Sequence, residues 1–453
     1  MKFQKRRSLS ARDIQLLILI GLILFTILGS LIGADIQLSR MIPGGAAFYA
    51  PWIGAREFLY NHLGPYGAQV QQLTDQLANR AVPEGGERPS YVTIPFFLLI
   101  TYFPIAVVSD AVPHEGVLVF LNVLSEPASA RGIWLFLSEA ALVGTALLSL
   151  RLIDWKPNRI FQVAYALLSV FGFYTVIALL DGSPAVLLGL IYIAVLFAYT
   201  NQQDELAGAL LVLGLFAWEV GGLFVLMLLW NASYHKRGRV WAGLGMMLSM
   251  LLLISFIIYP GWLLPYLGST LAAMRASFGV SSHAALNRLW PANGVRASQA
   301  LTVVLIVMLF YEWSVTRNAD ARRFVWAACL TLAATPLLGV RTELGNLTVL
   351  FPCLGLIFAG VVNRWRAGYW LATLLLLIAF LVPWAWFSRW LTTRDQRWQD
   401  YLLLFLPAFS VIGLYWTRWW FVRPPRTWYD HVRGTLSATQ RLANSRQSTN
   451  SGG

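Results

Sequence analysis

The chain has 453 residues, 57% of them hydrophobic and only 12% charged, with 20 tryptophans and a formal charge of +13. A water-soluble domain carries about 25% charged residues, and apolar runs near the ~20-residue length of a bilayer crossing recur along this sequence, which excludes a soluble globular fold. The excess positive charge does not point to nucleic acid, because Lys and Arg stand mostly at the ends of the apolar runs, where they orient membrane helices.

Residues 1–13 form a basic, cytoplasmic N-terminus. The first apolar run, 14–34, is long enough to span and lacks the small-residue cleavage site of a signal peptide. Residues 35–130 then read as an outer loop. Within it Phe48, Trp52, Ala55, Phe58 and Leu59 recur at helical spacing beside Arg56 and Glu57, predicting a helix at the outer interface. A second, more polar helix is expected over 70–81, the two together capping the membrane domain. Further apolar runs follow at 131–151, 160–180, 184–200, 239–260, 297–316, 323–339, 344–362, 367–388 and 401–418. The run 206–234 is too long for one ordinary span and reads as two short helices meeting near 218–222.

Residues 93–109 have the hydropathy of a span, and charge argues against that reading. If they crossed alone, the basic loops 151–159, 235–239 and 317–323 would all face outward. If they stay at the outer side, cytoplasmic segments carry roughly three basic residues per acid and outer segments are near balance, as the positive-inside rule requires. The expected fold is therefore an all-α polytopic membrane protein. It has about 12 transmembrane helices in one domain over 14–418, with outer-face juxtamembrane helices after the first span. Both termini are cytoplasmic and the membrane is the inner (plasma) membrane of a cell envelope. From 419 the chain is aromatic and basic, suited to an anionic leaflet, and disorder is expected from about 434.

Ionisable groups in or beside apolar runs are the informative ones, because burying them is costly. On the outer side these include Asp35, Arg40, Arg56, Glu57, Asp181, Glu219, Arg341 and Glu343, with Glu139 deeper in the second span. Each has an ordinary reading beside a functional one. Asp35 marks the end of a span, Arg56 and Glu57 a solvated helix face, Asp181 a turn before Gly182 and Pro184, and Glu139 and Glu219 structural pairs. Glu312 is expected to pair with Arg317. Cys329 and Cys353 read as packing thiols. The five histidines lack metal-ligand spacing, so neither metal nor cofactor is expected. A carboxylate with arginines at an outer cavity suits one chemistry: the carboxylate activates an acceptor hydroxyl while an arginine holds a phosphate leaving group.

The stretch "PGGAAFYAPWIGAREFLYNHLGPYG" at 43–67 resembles the first outer loop of family 87 glycosyltransferases and their relatives in the C-type superfamily. Gly44, Gly45, Phe48, Trp52, Ala55, Arg56, Gly64, Pro65 and Tyr66 carry the match. "DELAGALLVLGLFAWEV" at 204–220 and "ATPLLGVRTELGNLTVLFP" at 334–352 resemble two later elements of the pattern. The resemblance implies a hexosyltransferase with an outer active site. It would move a sugar from a polyprenyl-phosphate donor to a lipid or glycan acceptor, with inversion and without a nucleotide. On that reading Asp35 leads as catalytic base, with Glu57 and Asp181 behind it. Arg56 and Arg341 hold the phosphate, and Tyr66, Glu219 and Glu343 complete the substrate-binding set. Two diagnostic groups depart from the pattern: the acid before Phe48 is Ala47, and a lysine is replaced by Trp218 or Glu219. The alternative is a catalytically inactive relative that binds lipid or a partner. A transporter or flippase ranks below both, since no repeated halves are visible. On this topology Val112→Cys reacts with a membrane-impermeant thiol reagent from outside, and reaction only from the cytoplasm contradicts it.

Overall fold

A computed structural model describes residues 11–78, 90–107, 126–276, 281–317, 320–393 and 397–422. Among these residues every regular element is helical. The position 112, most of the basic N-terminus and the tail from 423 lie outside them, including the stretch expected to be disordered.

Seven helices are long and apolar enough to cross a membrane. They are α1 (Ala11–Met41), α5 (Pro127–Leu152), α11 (Gly238–Ile258), α14 (Gly294–Thr316), α16 (Phe351–Arg364, extended from Leu344), α17 (Gly368–Thr393) and α18 (Trp398–Val422). An eighth arises if α6 (Arg159–Phe171) and α7 (Phe173–Asp181), bent by 44° at Gly172, count as one span. The sequence predicts four more. At those places stand α8 (Ala185–Thr200, 16 residues), α9 (Asp204–Leu213, 10 residues), α10 (Trp218–Tyr234, 17 residues) and α15 (Ala321–Ala334, 14 residues). At 1.5 Å per residue these reach about 15–26 Å, short of a ~30 Å hydrocarbon core. Local punctuation shortens them. Pro184 precedes α8, a 3₁₀ turn at Gly214–Ala217 separates α9 from α10, and Pro336 turns α15 into a 3₁₀ segment. The break inside 206–234 thus falls a few residues earlier than expected.

The described part of 35–130, expected from the sequence to be an outer loop, is packed more deeply than its amphipathic pattern suggests. α2 (Ala46–Asn61) buries every residue from Phe48 to Ala55, so its first half is a core helix and not an interfacial one. The second helix, α3, spans Ala68–Ala78. The apolar stretch after residue 93 forms α4, an 11-residue broken helix at Phe96–Ala106. Phe96, Leu98, Leu99, Tyr102 and Ala106 on it are fully buried. α4 lies against α2 and the start of α5, where Tyr102 stacks on Trp134 at 4.9 Å and Phe48 meets Trp134 at 5.5 Å. Trp262, just before α12 (Leu263–Ala276), joins the same cluster.

The larger core runs through α5–α8, α10, α15, α16 and α18. Its centre is the Leu344–Arg364 span, 94% of whose apolar window is buried, whereas α1 is 12% buried and packs along α5. Side-chain donors tie helices distant in sequence. Tyr165 bonds the Phe351 carbonyl at 2.8 Å, Tyr174 that of Leu402 at 2.8 Å, and Trp326 that of Leu414 at 3.0 Å. Both cysteines are buried free thiols, and Cys353 Sγ donates to the Cys329 carbonyl at 3.3 Å. Glu312 does not pair with Arg317. It accepts from Arg418 Nε at 2.8 Å and faces Arg323 at 3.9 Å, while Arg317 lies over Trp230 and Tyr234.

α9 and α11 meet through reciprocal glycines. A Cβ at Gly208 would stand 2.0 Å from the Val240 carbonyl oxygen, and one at Gly243 would stand 2.1 Å from that of Glu205. Small residues at membrane-helix interfaces let backbones approach this closely. Gly208→Val is therefore expected to cost at least ~2 kcal/mol and lower the detergent-solubilised protein's melting temperature by several degrees. Gly245→Ala, with no atom within 4 Å of the added carbon, leaves it unchanged.

Candidate functional site

The C-terminal end of α1, the N-terminus of α2, the start of α5 and the α7–α8 turn converge at one place. Arg131 on α5 joins them. Its side chain is buried, and its Nη1 donates to the Ile42 carbonyl at 2.7 Å and to that of Ser39 at 3.5 Å. Its Nη2 donates to the Leu180 carbonyl. Close contact between α1 and α5 makes this reach possible, since a Cβ on Gly132 would lie 2.7 Å from the Ile36 backbone. Trp134, one turn further along α5, donates to the Gly182 carbonyl at 3.0 Å and fixes the α7–α8 turn.

Gly44 and Gly45, with φ of 111° and 90°, turn the chain from α1 into α2. Gly45 is the N-cap of α2, and a Cβ there would lie 2.7 Å from Arg131 Nε. Glycine is required twice over, by the left-handed backbone and by the guanidinium pressed against it. The electrostatics are one-sided. A cation is buried beside the positive end of a helix dipole, and no carboxylate pairs with it among the described residues. Ala47, where the resembled family keeps an acid, is the second residue of that helix.

Four buried polar atoms at this junction have no hydrogen-bond partner among the described residues: Asp35 Oδ2 and Ser39 Oγ on α1, Ser129 Oγ and Arg131 Nε on α5. Buried polar atoms in folded proteins are nearly all paired, and four of the fourteen that are not, among the described residues, fall at the facing ends of these two helices. Guanidinium, hydroxyls and a helix N-terminus together suit an anion, and the Asp35 carboxyl adds an acceptor one helical turn below Ser39. Among the described residues no group of three or more His, Cys, Asp or Glu could hold a metal.

The sequence-predicted residues divide. Asp35 is buried on α1, one turn before Ser39 and on the side of Glu139 of α5, and Asp181 follows the carbonyl that Arg131 holds. The loop of Arg341 and Glu343 connects to the Asp181 turn by two bonds, Ser183 to Asn346 at 3.2 Å and Asn346 to Thr342 at 3.2 Å. Arg341 itself is exposed and donates to the Met274 carbonyl at 3.3 Å. Arg56 and Glu57 sit about 16 Å along α2 from its N-terminus by helical rise. Arg56 lies over Trp52 at 5.2 Å and Glu57 accepts from Asn61 at 2.6 Å. Tyr66 donates to the Ile94 carbonyl at 2.9 Å and lines a separate cavity of about 310 Å³ at the start of α3. Glu219 lies in the first turn of α10 beside Tyr192.

Sequence reasoning missed Arg131, Ser39 and Ser129. The available signal was an arginine at an outer helix end, contrary to the positive-inside bias. Arg131→Lys keeps the charge but loses the planar fork that reaches three carbonyls, and is expected to destabilise the protein by ~2 kcal/mol. An unchanged melting temperature in detergent contradicts that role. Comparison of the chain with protein-family models, with curated proteins and with solved structures gave no match, so the reading of this junction rests on its residues.

Proposed function

We propose that this chain is a membrane glycosyltransferase that moves a sugar from a polyprenyl-phosphate donor to a lipid or glycan acceptor on the extracytoplasmic side. The proposal includes twelve crossings in the inner (plasma) membrane with both termini cytoplasmic, on the charge distribution given above. The observation that carries it is the cluster of unspent polar atoms around Arg131, with a buried carboxyl, Asp35, on the adjoining helix.

In the reaction Asp35 takes the proton of an acceptor hydroxyl, and the oxygen attacks the anomeric carbon. The bond from that carbon to the phosphate oxygen breaks, its electron pair stays on phosphate, and the sugar inverts. Arg131, through the Nε–H that has no partner among the described residues, and the N-terminus of α2 stabilise the dianion that leaves. Ser39 and Ser129 orient the phosphate or the acceptor. In this assignment Arg131 replaces Arg56 and Arg341 as the phosphate-holding group, because both of those stand away from the junction.

Ala47 favours a second reading, an inactive relative that keeps the anion site and binds lipid or a partner. Turnover decides between them. With purified protein, radiolabelled polyprenyl-phosphate mannose or glucose and a membrane-lipid extract, Asp35→Asn is expected to lower transfer ~10²-fold or more, while Asp181→Asn stays within tenfold of the unaltered chain. Donor binding without transfer by the unaltered chain establishes the inactive relative, and neither binding nor transfer removes both readings.

A further inference from the structure

At the opposite end of the bundle from Arg131, a cavity of about 710 Å³ opens between the α8–α9 turn, the α10–α11 turn and the start of α15. By the charge rule this is the cytoplasmic side. Four basic side chains line it, His235, Lys236, Arg237 and Arg239, against a single acid, Asp204. That acid is engaged by Arg237 through both Nε, at 3.1 Å, and Nη2. Arg237 is held further by the Tyr199 carbonyl at 2.9 Å and lies 3.8 Å from the centre of the Tyr199 ring. The remaining positive charge has no acid of its own within the cavity lining.

Orientation of the protein in the membrane accounts for basic residues in this loop and for nothing else about it. Three features exceed that role. Asn231, 6% exposed, accepts from the Tyr199 hydroxyl at 2.6 Å through its carbonyl oxygen, and its amide hydrogens find no acceptor among the described residues. The two turns that rim the cavity each hold a non-glycine residue in left-handed backbone, Gln202 at φ 60° and Lys236 at φ 55°. Both turns end their helices through backbone bonds, Gln203 N–H to the Ala198 carbonyl and Arg237 N–H to that of Ala232 at 2.9 Å each, so the loops that carry the lining side chains are fixed in place. Third, the 21-residue helix α11 begins at the cavity, adding backbone N–H groups and the positive end of its dipole.

We infer that this cavity binds a phosphate ester, with Lys236 and Arg239 supplying charge, Asn231 and the α11 N-terminus supplying directed donors, and Arg237 clamped as the floor. Its volume falls in the ordinary range for small-ligand sites. A phospholipid headgroup entering from the inner leaflet and a soluble phosphate entering from the cytoplasm share this chemistry. The assignment concerns the face opposite the proposed transfer site and stands whether or not that site is catalytic.

The test uses the full chain in nanodiscs, with melting temperature and equilibrium binding as readouts. Inorganic pyrophosphate is titrated in phosphatidylcholine discs, and discs containing phosphatidic acid are compared with discs lacking it. A rise of several degrees with pyrophosphate identifies a soluble source. A rise with phosphatidic acid, with no further rise on adding pyrophosphate, identifies the lipid. Either must weaken at least tenfold in apparent affinity in Lys236→Gln/Arg239→Gln and in Asn231→Ala, whose own melting temperatures without ligand report whether they fold. No shift from either probe, an equal shift from sodium sulfate at matched ionic strength, or undiminished binding by the folded variants overturns the assignment.

Discussion

A guanidinium buried against backbone carbonyls is the constraint on which the end of the bundle around α2 depends. Arg131 gives its hydrogen bonds to Ser39, Ile42 and Leu180, and these carbonyls end α1 and α7. In a membrane such carbonyls find no water, and an unsatisfied one costs several kcal/mol. The C-terminal ends of two helices, α1 and α7, and the N-terminus of α2 are therefore fixed to one side chain. Its cost is a charge without a carboxylate beside a helix dipole of the same sign. The proposed anion would offset that charge at a junction of glycines and unspent hydroxyls.

The architecture around it is two-layered. A long, buried span at Leu344–Arg364 organises the bundle, and the outer layer of α2, α4 and Trp262 closes over it through aromatic contacts. The stack of Tyr102 on Trp134 and the bond from Trp134 to Gly182 place the cap and the α7–α8 turn in register with Arg131. The cap thus sets the position of the site and does more than cover it. At the other end, Glu312 with Arg418 and Arg323 closes the bundle by a pairing 106 residues apart in the chain.

Long helices such as α5, α11 and α17 are legible in the sequence because an apolar run of bilayer length has few other fates. The short helices are harder to read as crossings for a physical reason. Hydropathy registers that α8 and α15 are apolar, but their length is set by Pro184 and Pro336 at their ends, and their burial by neighbours. α2 misled in the opposite direction. Its stripe beside Arg56 and Glu57 suggests a surface helix, whereas α4 and Trp262 bury its first half, and no local pattern announces a second layer. Asp35 was legible as an acid ending an apolar run. Arg131 was not, because its partners are main-chain carbonyls, which no side-chain pattern reveals. The same limit explains Glu312: the nearest arginine in sequence stacks on Trp230 and Tyr234, and distant ones make the pair.

The most direct test of the central claim is an electron cryomicroscopy structure of the full chain in nanodiscs with a polyprenyl phosphate bound. Phosphate density is expected within hydrogen-bond distance of the Arg131 guanidinium, beside Gly44 and Gly45, with Asp35 facing the site of the departing sugar. Phosphate resolved elsewhere on the outer face, with Arg131 still bonded only to the carbonyls of Ser39, Ile42 and Leu180, would contradict it.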